Sequence, residues 1–202
     1  MSLPKSSSAS ARVRAILAES IAVKQATLAT QVEATARVAA VIIAAVRRGR
    51  RVFFFGNGGS AGDSQHLAGE LLGRFLHDRR ALPGQALTTD TSTITAVAND
   101  YSYADVFARQ IEGLGRPGDV AVGITTSGRS PNVIKALRRA RQLGLTTVVL
   151  TGGTGRPAAS VAHHAIIVPS THTPRIQEAH ITLGHAICEL VEAACAPARG
   201  RR

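Results

Sequence analysis

The chain has 202 residues, 45% of them hydrophobic, and a formal net charge of +11. This length and apolar content are typical of one globular domain that can bury a full core. Trp is absent and aromatic residues make up only 3% of the chain, which argues against a surface that stacks the bases of single-stranded nucleic acid. The positive charge lies mainly at predicted helix ends and at the C-terminus, so we expect no nucleic-acid partner.

The N-terminus and the apolar segments bear on location. The longest apolar stretch, Val38 to Val46, is shorter than the roughly 20 residues that span a bilayer. The first residues, MSLPKSSSASARVR, lack the apolar core of a signal peptide. We therefore expect a cytoplasmic protein that does not enter membranes. The expected organisation is a disordered tail at 1–9, one domain at 10–195 and a basic tail at 196–202.

Apolar periodicity predicts alternating helices and strands along the chain. The predicted helices cover about Ser10–Ala26, Leu28–Arg47, Ala61–Leu76, Thr91–Ala98, Ala104–Leu114, Pro131–Gly144 and Pro174–Cys195. The predicted strands cover about Val52–Phe55, Ala86–Thr88, Asp119–Ile124, Thr146–Leu150 and Ala165–Val168. This alternation indicates an α/β domain in which helices cover both faces of a parallel sheet.

A glycine-rich loop follows the first predicted strand. The continuous apolar run Val52–Phe55 suits a strand that is buried on both faces, and Gly56–Ser60 then end it. Glycines let the main chain approach an anion, and Ser60 could cap a helix that begins near Ala61. The free N–H groups at such a helix start favour a phosphate. A plain strand-to-helix turn is the alternative interpretation.

A second polar loop, Thr125–Ser130, follows the third predicted strand and precedes Pro131, which fits the first turn of a helix. Its hydroxyls could hold a phosphate, although an ordinary capping loop has the same composition. Both loops leave the carboxyl ends of strands, where open parallel sheets bind ligands. The chain has no GxxxxGK[ST] sequence, and GNGGS is not GxGxxG. A phosphate monoester on a small metabolite is therefore favoured over a nucleotide.

Reactive side chains lie on the helix after the first loop and on the last helix. His66 and Glu70 are four residues apart, so they share one helix face and could bind a metal or divide acid and base roles. A pair on the protein surface with no chemical role is the alternative. On the last helix, Gln177 and His185 are eight residues apart, and His180 is an alternative to either as a functional residue.

The segments GNGGSAGDSQHLAGELLGRF, ALTTDTSTITAVANDY, TTSGRSPNVIKAL and RIQEAHITLGHAICELVE resemble the phosphoheptose isomerases, whose fold is the sugar isomerase (SIS) domain. The resemblance extends over nearly the whole chain beyond the N-terminal tail. It implies a single SIS domain, an αβα sandwich with a five-stranded parallel sheet and extra N-terminal helices. It also implies a homotetramer with active sites at subunit interfaces, and interconversion of sedoheptulose 7-phosphate with D-glycero-D-manno-heptose 7-phosphate for activated-heptose and cell-surface glycan synthesis.

The same resemblance implies roles for particular residues. Glu70 would be the general base and His185 the general acid. The implied zinc ligands are His66, Glu70, Gln177 and His185. The implied substrate contacts are Asn57, Gly58, Gly59, Ser60, Glu70, Arg74, Asn99, Asp100, Thr125, Thr126, Ser127, Ser130 and Gln177.

The chain differs from the family pattern at a few positions. Thr125 replaces a serine that is frequent in the family but keeps the hydroxyl, and Arg129 stands where a small amide is usual. Pro174 stands where some members have an acidic residue. One alternative is a non-enzymatic SIS-domain relative that binds the replication initiator DnaA, but that branch has a small residue in place of Glu70. Another alternative is an isomerase or sensor for a different sugar phosphate.

Overall fold

The computed structural model describes residues 6–195, so the predicted tail at 196–202 and residues 1–5 lie outside the described part. The helices are α1 Ser6–Arg47, α2 Gly59–Leu72, α3 Thr91–Asp100, α4 Val106–Leu114, α5 Pro131–Gln142, α6 Ala158–Val161 and α7 Thr173–Cys195. The strands are β1 Val52–Gly56, β2 Gly84–Ala86, β3 Val120–Thr125, β4 Thr146–Gly152 and β5 His164–Val168. The sequence prediction lacks α6, because four residues are too few to show a helical period.

The strands form one five-stranded parallel sheet in the order β2-β1-β3-β4-β5, which confirms the predicted sheet. β1 pairs with β2 on one side and with β3 on the other, where Gly56 lies opposite Ile124. The chain therefore leaves β1 toward one edge of the sheet and returns to add the remaining strands on the opposite side. This change of direction makes a crevice between the carboxyl ends of β1 and β3, the usual ligand position in open α/β sheets.

Helices cover both faces of the sheet, so the predicted αβα sandwich is also confirmed. α1, α2 and α7 pack on the face that contains Phe54, whereas α3, α4, α5 and α6 pack on the face that contains Phe53 and Phe55. Successive side chains of a strand point to opposite faces, so an uninterrupted run of phenylalanines serves both cores. Each buried ring stabilises the fold by about 1.5–3 kcal/mol.

The N-terminal region forms a single 42-residue helix, although the sequence predicts two helices that meet near Thr27 and a disordered tail up to residue 9. The predicted division into two helices is wrong, and residues 6–9 of the expected tail are part of the helix. Neither glycine nor proline interrupts this segment. Thr27 is buried, but its hydroxyl donates to the Val23 carbonyl at 2.7 Å. This bond satisfies the hydroxyl within the helix, so a polar residue at this position does not end it.

The Ser8–Arg47 segment is long and apolar enough, by length and composition, to cross a membrane. This segment includes polar residues, and the longest uninterrupted apolar stretch within it is still Val38 to Val46. Core helices of soluble proteins have the same composition, and Val38, Ile42 and Val46 near the C-terminal end of α1 are buried against the sheet. The N-terminal part instead exposes apolar side chains, those of Val13, Leu17, Ile21, Leu28 and Val32.

A buried carboxylate near the end of α7 holds the segment that follows α2. Glu192 is 1% exposed and accepts hydrogen bonds from the backbone N–H groups of Phe75, Leu76 and His77 at 2.8, 2.7 and 2.9 Å. The Nε atom of Arg79 lies 3.3 Å from the same carboxylate. Burial opposes the charge, but the three N–H donors and Arg79 outweigh it and lower the pKa of Glu192 below its ordinary value.

This lowered pKa predicts a pH-dependent contribution to stability. A carboxylate with a depressed folded-state pKa stabilises the fold above its unfolded pKa, and loses this contribution as the pH falls through the folded pKa. We expect the melting temperature of Glu192→Gln to lie below that of the parent at neutral pH, and the difference to shrink as the pH falls below about 4.5. Thermal melts of both proteins across this range, with the exposed Glu189→Gln as control, test this. A difference that does not change with pH would contradict it.

Candidate active site

The first loop turns sharply between β1 and α2. Gly58 has a φ of 56°, a conformation that favours glycine, and the helix begins at the next residue. Ser60 lies inside the helix and is buried, and the N-terminus of α2 has no side-chain cap. The expectation that Ser60 caps a helix starting near Ala61 is therefore wrong. The N–H groups of Ser60 and Ala61 donate to the Asn57 and Gly58 carbonyls at 3.0 Å, so within the described contacts the Gly59 N–H is the donor at this helix start that is left for an anion.

Asn57 is held rigidly at the start of this loop. Its side-chain amide exchanges two hydrogen bonds with Asn132 at the start of α5, at 2.9 and 2.8 Å. The Tyr103 hydroxyl donates to the Asn57 Oδ1 atom at 3.1 Å. These contacts join the loop after β1 to the helix after β3. The sequence prediction identifies Asn57 but neither of its partners, because they are distant along the chain.

The second loop joins β3 to α5 on the neighbouring strand. The Thr125 and Ser130 hydroxyls lie 2.9 Å apart, and the Ser127 hydroxyl accepts a hydrogen bond from the Arg129 N–H at 3.2 Å. Thr125 is buried at the end of the strand, whereas Ser127 is exposed. Ser130 makes no side-chain cap, and Pro131 occupies the first turn of α5 as expected. The hydroxyls of this loop therefore lie at the same edge of the sheet as the first loop.

His66, Glu70 and His185 meet where α2 packs against α7. The Nε2 atom of His66 lies 3.1 Å from Glu70 Oε1 and 2.9 Å from His185 Nε2. The potential ligand atoms of all three residues lie within 4.8 Å of one another. The side chain of His66 is 47% exposed and that of Glu70 is 22% exposed, so the cluster opens to solvent. The Phe75 ring lies over His185, with ring centres 5.6 Å apart.

This cluster has the chemistry of a metal site and of an acid–base pair. Two imidazole nitrogens and a carboxylate oxygen converge on one point, and this donor set suits zinc. Without a metal, the short contact between the two Nε2 atoms requires a hydrogen on one of them. The same groups can therefore donate or accept protons at a bound molecule. The structure thus brings together three of the four predicted metal ligands.

The fourth predicted ligand, Gln177, lies on α7 against the first loop. A Cβ atom at Gly59 would overlap its amide group, so the small residue makes room for Gln177. His180, the alternative from sequence, faces β4 instead, and its Nε2 lies 3.1 Å from the Thr151 carbonyl. Burial lowers the pKa of His180 to about 4, so its ring is neutral at pH 7. Its position against β4, and not its protonation, excludes His180 from the cluster.

The other predicted substrate contacts lie farther out. Asn99 and Asp100 are exposed at the end of α3, where the Asn99 amide donates to the Asp100 carboxylate at 2.8 Å. Arg74 is exposed just beyond α2 and forms no ion pair with another described residue. Asp63, which the sequence prediction missed, lies one turn before His66. Burial raises the pKa of Asp63 to about 6, although the nearby His66 opposes this change.

Comparison with known proteins agrees with this geometry. Residues 17–152 match the SIS domain. The phosphoheptose isomerase of Aquifex aeolicus is 54% identical over 181 residues, which cover 90% of this chain and 95% of that protein. The structure of the phosphoheptose isomerase from Neisseria gonorrhoeae matches 91% of this chain and 98% of its own, with 41% identity and a TM-score of 0.87. The structure of a phosphoheptose isomerase from Francisella tularensis matches 92% of this chain and 98% of its own, with 33% identity and a TM-score of 0.89. The chain therefore belongs to the SIS-domain family and, within it, to the phosphoheptose isomerases.

Proposed function

We propose that this protein interconverts sedoheptulose 7-phosphate and D-glycero-D-manno-heptose 7-phosphate, and so supplies the synthesis of activated heptose for cell-surface glycans such as lipopolysaccharide. Membership of the phosphoheptose isomerases supports this activity. The observation that carries it is the contact of Glu70 with His66 and of His66 with His185, beside the crevice between the two loops. The initiator-binding alternative is not favoured, because this chain has the carboxylate at position 70. An isomerase or sensor for another sugar phosphate is not favoured by the relatives.

The phosphate of the substrate would bind across the two loops. The N–H of Gly59 at the start of α2, the N–H of Asn132 at the start of α5 and the hydroxyls of Thr125, Ser127 and Ser130 offer donors at one edge of the sheet. Each charge-assisted hydrogen bond to a phosphate contributes about 1.5–3 kcal/mol. The net charge of +11 favours the approach of such an anion. The proposed substrate contacts also include Asn57, Gly58, Gly59, Ser60, Glu70, Arg74, Asn99, Asp100, Thr126 and Gln177.

The reaction moves a proton between two adjacent carbons. Glu70 would remove the proton from C1 of the ketose, which gives an enediolate, and would return it to C2. His185 would carry the accompanying proton between the two oxygens, so that the carbonyl moves from C2 to C1. Each well-placed acid or base contributes about 10²–10⁴ in rate. His66 contacts both Glu70 and His185, so it would orient the two groups toward each other.

Zinc is the proposed cofactor, with His66, Glu70, Gln177 and His185 as ligands. The convergence of His66, Glu70 and His185 supports the site. When bound, zinc would polarise the substrate carbonyl and stabilise negative charge on the oxygens. Direct binding of Glu70 to the metal would compete with its role as base. The two roles of Glu70 therefore suit different states of the enzyme.

A homotetramer is the proposed assembly. α1 exposes Val13, Leu17 and Ile21, and more than half of each of these side chains is accessible. Farther along, an apolar cavity of about 320 Å³ lies between α1 and α7. Leu28, Val32, Thr35, Leu183 and Leu190 are among its lining residues. Packing of α1 between subunits would remove this apolar surface from water, and it explains the apolar composition of the helix without a membrane. We propose a cytoplasmic location for the assembled enzyme.

Loss of the carboxylate of Glu70 should abolish most of the activity. We expect Glu70→Gln to lower kcat by about 10²–10⁴ while the protein remains folded, because the amide cannot accept a carbon proton. The assay uses sedoheptulose 7-phosphate, with and without added zinc, and Glu189→Gln on the exposed side of α7 is the control. If the parent turns over no substrate either with or without zinc, the proposed activity is rejected. If Glu70→Gln keeps full turnover, this residue is excluded as the base.

Zinc should bind with a stoichiometry of one ion per subunit at the His66–Glu70–His185 cluster. We expect His66→Gln and His185→Gln to lose most zinc affinity, because each removes a nitrogen ligand. Titration calorimetry and elemental analysis after dialysis measure the binding. The exposed His172→Gln, which lies outside the cluster, should bind zinc as the parent does. Equal zinc content in all four proteins, or none in the parent, would contradict the proposed site.

Charge on the exposed side of α1 should disrupt the assembly. We expect the parent to be a tetramer, and the double variant Leu28→Lys and Val32→Lys to dissociate and lose activity, because two buried charges would be unpaired. Light scattering after size-exclusion chromatography measures the mass. Gln142→Lys, which adds one charge on the opposite side of the sheet, is the control. A monomeric parent that is fully active would exclude the proposed assembly.

A further inference from the structure

The C-terminus of α2, which bears Glu70, is closed by a buried arginine from the following segment. The Arg79 guanidinium donates to the Leu71 and Gly73 carbonyls at 2.8 and 3.0 Å, and to the carbonyl of Glu70 itself at 2.7 Å. Its side chain is 0% exposed, and its Nε atom lies beside the carboxylate of Glu192. The last carbonyls of a helix have no partner within the helix, so these bonds satisfy groups that would otherwise need water.

The same arginine is held in place from α7. Its Nε lies 3.3 Å from Glu192 Oε1, an ion pair rather than a well-aligned hydrogen bond. Glu192 also accepts three backbone hydrogen bonds from residues 75–77. One buried ion pair therefore connects the end of α2, the segment after it and the end of α7. Because α2 carries Glu70 and α7 carries His185, this connection joins the two elements that hold the reactive groups.

Contacts lead from the ion pair to each reactive residue. On one side, Arg79 binds the main chain of Glu70 directly. On the other, Glu192 binds the N–H of Phe75, whose ring lies over His185. Neither contact reaches the two loops at the carboxyl ends of β1 and β3. A displacement of the pair should therefore disturb the His66–Glu70–His185 cluster more than the proposed phosphate site.

We propose that Arg79 and Glu192 are positioning residues for the cluster, an inference that rests on the proposed isomerase function. A lysine at position 79 keeps the charge but has a single nitrogen, so it cannot bind the carbonyls of residues 70, 71 and 73 as the planar guanidinium does. A displacement of about 1 Å in reactive groups can cost 10²-fold in rate, and partners that orient metal ligands contribute 10–100-fold in affinity.

The test separates positioning from a purely structural role. At a temperature well below melting, we expect Arg79→Lys to lower kcat on sedoheptulose 7-phosphate by about 10–100-fold and to weaken Zn²⁺ binding by about tenfold. The KM should stay within about threefold of the parent, because the phosphate loops are not contacted. Arg80→Lys, at an exposed neighbouring position, is the matched control. A lower melting temperature with parental kcat and zinc affinity would overturn the proposal.

Glu192→Gln is a second variant that keeps the proposal testable if Arg79→Lys does not fold. Glutamine keeps the size of the side chain and one acceptor oxygen. It should show the same pattern of lower kcat, weaker zinc binding and retained KM, whereas Glu189→Gln should match the parent. The zinc titrations need no substrate. If the parent does not turn over sedoheptulose 7-phosphate, the proposed function fails, but weaker zinc binding in both variants still supports positioning. Parental zinc affinity in a folded variant contradicts it in either case.

Discussion

The parallel pairing of β1 with β3 is the constraint on which the candidate site depends. Gly56 at the end of β1 lies opposite Ile124 of β3, so Asn57, which follows β1, and Thr125, the last residue of β3, lie at the same edge of the sheet. Because the next helix starts immediately after each loop, the N-terminal N–H groups of α2 and α5 lie at this edge as well. The amide exchange between Asn57 and Asn132 then fixes one loop relative to the other helix. An anion site therefore results from strand order, before any reactive side chain is considered.

The close approach of α2 and α7 adds the reactive groups. A Cβ atom at Gly184 would lie 2.6 Å from a methyl carbon of Leu67, so only glycine lets the helices come this near without repacking. Gly184 directly precedes His185, and Leu67 directly follows His66. The residues at the helix crossing are thus the neighbours of the two histidines whose Nε2 atoms lie 2.9 Å apart. Packing and chemistry are coupled here, since a wider crossing would separate the histidines.

The sequence alone predicts the parts of the structure that depend on local patterns. The phenylalanine run, the glycine loop and the i, i+4 pair of His66 and Glu70 are visible within 20 residues, and the order of strands and helices follows from periodicity. Contacts between distant residues are not visible in this way. Asn132 lies 75 residues from Asn57, and Glu192 lies 117 residues from Phe75. A buried glutamate on an apolar helix face gives no sequence signal of the backbone amides that it binds.

Solvent exposure links the chemistry to the proposed assembly. In one chain, His66 is 47% exposed, so water screens the charges of the cluster and competes for its hydrogen bonds. Proton transfer from carbon and charge on an enediolate both benefit from a site that excludes water. Apolar side chains of α1 remain exposed in the same chain, including Leu28 at 70%. If assembly covers both surfaces, one association step removes apolar area from water and lowers the dielectric constant around Glu70, which strengthens the electrostatic interactions that the reaction needs.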